Sequence, residues 1–557
     1  MRRANAWRIA VITATAIAVF TPLALILYQS ILSAPFFMPT AKVSLDAVAF
    51  VFTDADFWQA TANTFIIAIG MTLIAVPLGG ILAFLMVRTN LPGRRWLEPL
   101  LLAPVFVSPM VLAFGFVVTL GPAGFVSTAV REIFGTVPWT IYSVPSILVI
   151  AGLTHVPHSY LYCSAALRAL GSDVEEAARI SGAGPWRVAL GVSLPLIWPA
   201  IAYSGVLIFF LGFEMFALPL VLGDPERVLV LTSYLFKLTN RFGVPSYQLM
   251  AVVVVALVCV TFPLVYLQRR MLRGTERYVA VKGKGSRLRP LKLGPMRWAA
   301  FVVVMVWLAG SVGMPLVGIT LRSFVSTWGI GVELMEVLTL DHYIEVFDYE
   351  PLIHGIVNTL LVGTIGGAIA VAVYTVIALA AHRWPSGWSR FLDYLVLIPR
   401  AMPGLVAGLA IFWVFLFVKP LTPLKSTLFS IWLAYSVVWL AYGMRMISSA
   451  LLQVGRELEE AGRVAGASLL RVNWQITVPL IRFGLVSSWM LVFMIFVREY
   501  STGIYLLGPG TEVIGAQLVS LWGTGAVDVV SALSVINVAI VGLGMTLALR
   551  FGVKLRD

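Results

Sequence analysis

Long apolar runs separated by short polar connectors fill the chain from end to end. Twelve of them, at about 7–31, 62–87, 97–120, 145–167, 194–221, 248–267, 298–321, 355–381, 391–418, 428–450, 480–507 and 529–549, reach the ~20 residues needed to cross a bilayer. None alternates with period two, and a backbone in hydrocarbon must satisfy its own hydrogen bonds, so the runs predict helices rather than barrel strands. Residues 268–297 interrupt the series with ten Lys or Arg against the single acid Glu276, together with Gly283, Gly285, Pro290 and Pro295. That stretch reads as a linker. The pattern predicts an all-α integral membrane protein with twelve transmembrane helices in two repeats, 1–267 and 298–557.

Two polar connectors are copies of one another. Residues 166–197 and 450–481, 284 positions apart, match at 14 of 32 positions without a gap. The matches include Glu175 with Glu459, Glu176 with Glu460, Ala177 with Ala461, Gly182 with Gly466, Arg187 with Arg471 and Pro195 with Pro479. Asn63-Thr64 and Asn358-Thr359, and Pro104 and Pro399, repeat at a spacing of 295, which places about eleven extra residues of the first half between its third and fourth helices. Six helices per half is an even number, so the repeats are parallel, with a pseudo-twofold axis along the membrane normal and a pathway between them. Each copied connector, about 168–195 and 452–479, predicts a short surface helix: Ser172–Ser181 closed by Gly182, and Glu457–Ala465 closed by Gly466. Pro195 and Pro479 then suit the first turn of the helix that follows. Glu175, Glu176, Glu459 and Glu460 are expected in polar surroundings, and small residues at Ala177, Ala178, Ala461 and Gly462 permit close approach by a partner protein. The bland alternative is a solvated amphipathic connector.

Composition excludes a water-soluble globular domain: 60% of residues are hydrophobic and 12% charged, and the mean hydropathy is +0.94. With the N-terminus inside, the cytoplasmic side holds 29 of the 39 Lys and Arg residues, so both termini are expected in the cytoplasm. The net charge of +13 follows this topology and does not point to nucleic acid. The first run is too long for a signal peptide and reads as an anchor. Cys163 and Cys259 lie in predicted spans, which argues against a disulfide framework or a cysteine zinc site.

The connector pattern is specific: Glu176-Ala177-Ala178, Gly182, Pro195, and again Glu460-Ala461-Gly462, Gly466, Pro479. It resembles the EAA loop of permease subunits in binding-protein-dependent ABC importers, and only Gly462 departs from the usual alanine. Arg88 to Arg95 (RTNLPGRR), Arg498 to Thr502 (REYST) and Leu507 to Thr511 (LGPGT) resemble segments of the iron(III)-type permeases. The resemblance implies the type I importer permease fold, with both membrane halves fused on one chain. It implies that Glu175, Glu176, Ala177, Gly182, Glu459, Glu460, Ala461 and Gly466 dock on two copies of a cytoplasmic ATPase subunit. It also implies a periplasmic or extracellular solute-binding protein as a partner, and residence in the bacterial inner membrane. No phosphate-loop motif is present, since Lys282 to Ser286 (KGKGS) lacks its spacing. ATP and Mg are therefore expected on the partner, with no cofactor and no catalytic residue on this chain. Ferric iron is the expected cargo, with phosphonate, thiamine or polyamine as alternatives. A major-facilitator-type secondary transporter is the rival of another class, though its loop between the second and third helices usually resembles Gly-x3-Asp-Arg-x-Gly-Arg, and no Asp stands in RTNLPGRR.

Charged residues inside apolar runs complete the candidates. Glu214 and Glu499, 285 apart, with Arg498 adjacent, are expected to face the pathway, because an ionised group at membrane depth costs roughly 2.5–3.5 kcal/mol on insertion scales. The alternative is that Arg498 and Glu499 belong to an external mouth and Glu214 to a structural pair. His155 and His158 share a helical face and could contact a passing metal. The plainer expectation is that they satisfy carbonyls freed by Pro157 or neighbouring groups, so no metal ligand is assigned.

Overall fold

The computed structural model describes residues 2–170, 173–239, 246–275, 290–382 and 387–550. Lys282–Ser286 and most of the expected linker, 276–289, lie outside the described residues. Every predicted apolar run falls on helix. Among the described residues, seven helices are long and apolar enough to cross a bilayer, and three more runs qualify only as bent pairs. These pairs are Ala189–Leu196 with Trp198–Glu214 (65°), Leu428–Val438 with Leu440–Leu452 (61°), and Leu469–Leu480 with Arg482–Arg498 (73°). Run 97–120 is divided at Val107 and Ser108, where Pro109 opens a new helix. Run 391–418 is divided between Leu395 and Gly404, a stretch holding Pro399 and Pro403. A proline lacks the N–H that would continue the ladder, so helices restart at it.

Two compact units emerge. One is Phe52–Gly243 with Cys259–Leu340, and the other is Met1–Val51 with Val244–Val258 and Asp341–Asp557. The units therefore do not follow the halves 1–267 and 298–557. The first apolar helix of each half packs in the unit built mainly from the other half.

Small residues let the helices of the first unit approach closely. Gly79 faces Ser159, Gly152 faces Ile74 and Gly212 faces Ala68, an arrangement that favours packing where no hydrophobic force separates helix from lipid. Ser159 and Ser204 hydroxyls meet at 3.1 Å. The exchanged helix Met296–Leu308 is fastened by Trp307, whose indole donates to the Leu153 carbonyl at 3.2 Å. That carbonyl lacks its helical partner because Pro157 has no N–H. In the second unit Ile12 and Val19 of the first helix join a core around Tyr374, Tyr435 and Phe496. The buried Tyr374 hydroxyl donates to the Ser436 carbonyl at 2.7 Å.

Candidate functional site

The copied connectors form the same structure twice. Helices Asp173–Ile180 and Arg456–Val464 each close on a glycine in the left-handed region, Gly182 at φ +85° and Gly466 at φ +83°. Ala183 N–H donates to the Ala178 carbonyl and Ala467 N–H to the Gly462 carbonyl, both at 3.0 Å. This paired closure satisfies the last carbonyls of a helix and favours glycine at the turn. A widened turn follows at Ala189–Ser193 and at Asn473–Thr477. The chain then bends at Ile197 (φ −94°, ψ 8°) and at Ile481 (φ −93°, ψ 8°) before the long helices Trp198–Glu214 and Arg482–Arg498. Pro195 and Pro479 thus lie on the surface side of the bend and not in the first turn of the long helix. At Gly462, where the first copy has Ala178, a Cβ would stand 2.6 Å from Ile476 Cδ1 and 3.3 Å from Val472 Cγ2.

The four glutamates divide by face. Successive helical residues point 100° apart, so Glu176 is half-buried and Glu460 exposed, whereas Glu175 is 5% exposed. Glu175 is therefore buried from solvent, and its polar surroundings are groups of the protein itself. Its Oε1 accepts from Ser193 Oγ at 2.7 Å and lies 3.3 Å from Arg88 Nε. Arg88, 2% exposed, also donates through Nη2 to the Leu167 and Leu170 carbonyls at 2.7 and 2.8 Å. In the second copy, Glu459 Oε1 accepts from Thr477 Oγ1 at 3.2 Å and lies 3.6 Å from His382 Nε2. Arg88 ends the helix Ala55–Arg88 and His382 follows the helix Gly367–Ala381; at the 295-residue spacing of Asn63 and Asn358, the counterpart of Arg88 is Arg383, which lies outside the described residues. Ala177, Gly182, Ala461 and Gly466 are exposed.

The apolar-run charges occupy matching positions in different settings. Glu499, 7% exposed, follows the last turn of Arg482–Arg498. Its Oε1 accepts from the amide and hydroxyl of Ser501 (3.1 and 3.0 Å) and of Thr502 (3.1 and 3.1 Å). Its Oε2 accepts from Trp439 Nε1 at 2.9 Å. Five donors make Glu499 the clasp of the turn after its helix, because hydrogen bonds to an ionised carboxylate are among the stronger ones. Arg498 interacts with Glu499, Tyr442 and Tyr500, and the Arg400 guanidinium sits 4.4 Å from the Tyr442 ring centre. Glu214 is half-buried at the end of its helix.

The Asn-Thr repeat pins the segments that follow these glutamates. Asn63 Nδ2 donates to the Leu229 carbonyl at 2.9 Å, and Thr64 Oγ1 accepts from Leu231 N–H at 2.9 Å. Asn358 Nδ2 donates to the Gly510 and Glu512 carbonyls at 3.0 and 2.9 Å, and Thr359 Oγ1 accepts from Ile514 N–H at 2.9 Å. The repeat was visible in sequence; what it holds was not.

The sequence model of one family, described as the binding-protein-dependent transport system inner membrane component, matches residues 75–276 and again 374–555. Together these matches cover more than half of the chain. The chain belongs to that family. It carries the transport component twice, and each match contains one copied surface helix. It is 23% identical over 425 residues to the ferric transport system permease protein FbpB of Actinobacillus pleuropneumoniae, covering 75% of this chain and 60% of the relative. It is 25% identical over 421 residues to the putative ferric transport system permease protein FbpB 1 of Haemophilus influenzae, covering 74% and 64%. It is 30% identical over 159 residues to the molybdenum transport system permease protein ModB of Escherichia coli, covering 28% and 68%. The chain thus spans less than two thirds of the length of the two ferric permeases.

Of the two histidines, His155 bonds locally. His155 Nδ1 donates to the Ala151 carbonyl at 2.8 Å, and the His155 and His158 rings stack at 5.4 Å. The carbonyl that Pro157 frees is taken by Trp307 and not by an imidazole. Among the described residues no three His, Cys, Asp or Glu side chains gather as a metal site.

Proposed function

We propose that the chain forms the membrane pathway of an ATP-driven importer and couples it to two copies of a cytoplasmic ATPase subunit, with a solute-binding protein delivering cargo from outside. The observation that carries this reading is the twice-built unit of short helix, glycine turn, widened turn and bend, exposing Ala177 and Gly182 in one copy and Ala461 and Gly466 in the other. Docking falls on Glu176, Ala177, Gly182, Glu460, Ala461 and Gly466, with Glu175 and Glu459 holding the helices from behind. ATP and Mg belong to the partner. ATP binding draws the docked helices together, and each rigid bend passes that motion into the long helix ending at Glu214 or Arg498. Glu214 and Arg498 contribute polar groups to the pathway, and Glu499 fixes the turn beside it. Both termini lie in the cytoplasm.

Ferric iron is the cargo supported by the names of the two long relatives. The match to the molybdenum permease favours an oxyanion as the second reading. The test is reconstitution in vesicles with a cognate ATPase and binding protein, following ATP-dependent uptake of ferric ion and of molybdate. Ala177→Cys and Ala461→Cys should each cross-link to the ATPase. Uptake on an ion gradient with no ATPase present would restore the major-facilitator reading.

A further inference from the structure

An apolar groove of about 680 Å³ lies in the second unit. Its walls are the first half of helix Arg2–Ser30, the helix Gly367–Ala381, the bent pair Leu428–Val438 and Leu440–Leu452, and the foot of Arg482–Arg498. Trp474 and Val478 of the second copied connector also line it. Three of its hydroxyls are turned in on the protein: Thr15 donates to the Val11 carbonyl at 2.8 Å, Thr375 to that of Val371 at 2.7 Å and Tyr374 to that of Ser436 at 2.7 Å. The surface left is mostly methyl and ring, which suits a hydrocarbon chain and not a hydrated ion. Positive charge gathers at one end. Arg8, Arg471 and Arg482 each stand three residues before a lining residue, Val11, Trp474 and Leu485, a spacing that shares a helical face. No Asp or Glu occurs in any helix that walls the groove. The carboxylates nearest in sequence, Glu457, Glu459 and Glu460, belong to the surface helix Arg456–Val464, which supplies no lining residue. That helix also carries Arg463, near enough to Arg8 to repel it.

We propose that the groove holds an acyl chain of an anionic phospholipid of the cytoplasmic leaflet, with the lipid phosphate held by Arg8, Arg471 and Arg482. Basic groups at the cytoplasmic end of a crevice between membrane helices attract anionic headgroups. An unfilled crevice, by contrast, forfeits the dispersion contacts of its lining. Arginine suits the headgroup, because its planar fork matches phosphate oxygens and keeps its charge at every physiological pH. The seated chain touches Trp474 in the widened turn Asn473–Thr477 and Val478 just after it, so it braces the turn that joins the second surface helix to its long helix. Anionic lipid then stiffens that connection, a consequence for transport that rests on the coupling role proposed above.

The test titrates the full-length chain in detergent with phosphatidylglycerol or phosphatidylcholine of matched acyl chains and reads the lipid retained per chain by native mass spectrometry. Phosphatidylglycerol should be retained in preference. Each of Arg8→Gln, Arg471→Gln and Arg482→Gln should weaken its binding by roughly fivefold, the worth of one basic side chain beside an anionic headgroup, and leave phosphatidylcholine unchanged. Ala372→Trp, which fills the groove, should remove the bound phosphatidylglycerol while thermal unfolding shows the chain still folded. Equal retention of the two lipids, or a preference that survives all three arginine changes, overturns the proposal. Displacement of the lipid by inorganic phosphate alone would assign the arginines to a free anion and overturn it as well. Hydrogen exchange at residues 473–478 should slow when phosphatidylglycerol replaces phosphatidylcholine, and unchanged exchange refutes the bracing of the turn. If retention and exchange behave as expected but hydrolysis by added ATPase subunits never depends on the chain, the lipid site stands and the docking reading fails.

Discussion

Replacing Gly182 or Gly466 separates the turn these glycines make from the surface they leave open. Both hold φ above +80°, and a Cβ added at either meets no atom of the chain within 4 Å. Alanine at either position therefore costs only the left-handed backbone, about 1–2 kcal/mol, or roughly a 5- to 30-fold loss of the closed turn relative to an opened one. Asparagine, which tolerates this region better, should cost less. Leucine should cost the isolated chain no more than alanine, because the extra atoms enter open space. A partner seated on the turn would meet those atoms. The assay pairs thermal unfolding of the purified chain with the ratio of solute imported to ATP consumed in the reconstituted complex. The expected result is equal unfolding for alanine and leucine at each glycine, with import per ATP falling further for leucine than for alanine. Equal import for the two would show that the glycines serve the turn alone and that the docking surface lies elsewhere.

Glu499→Ala should lower the unfolding temperature more than Glu214→Ala, because it strands buried donors on Trp439, Ser501 and Thr502 at about 1–3 kcal/mol for each unsatisfied group; equal effects would remove its role as a clasp. Thr64→Val and Thr359→Val should speed hydrogen exchange at the Leu231 and Ile514 amides, which lose their hydroxyl acceptors, and unchanged protection would mean that the Asn-Thr pairs do not hold those segments. Asn358→Ala should destabilise more than Asn63→Ala, since it releases two carbonyls instead of one, at about 0.5–1.5 kcal/mol per bond, as read by chemical denaturation. Gly462→Ala should cost less than ~1.5 kcal/mol in the same measurement, because the crowded atom is the mobile end of Ile476.

Sequence by itself determined the helical runs, the duplication and the glycine turns. Those features are local: hydrocarbon demands apolar helices of fixed length, and a left-handed turn favours glycine wherever it occurs. The 284-residue repeat carried through to matching bends at Ile197 and Ile481. Tertiary structure alone decided the rest. Glu175 and Glu176 are adjacent and chemically identical, and which one turns inward was fixed by Arg88 arriving from another helix. Whether Glu499 faced a pathway or a ring of donors depended on Trp439 and the path of the chain through Thr502. The packing of the first helix of each half into the other unit left no mark on hydropathy, because a helix face against protein and one against lipid are both apolar. Long-range partners set the environment of Glu175 and of the two Asn-Thr pairs, and no periodicity along the chain encodes who those partners are.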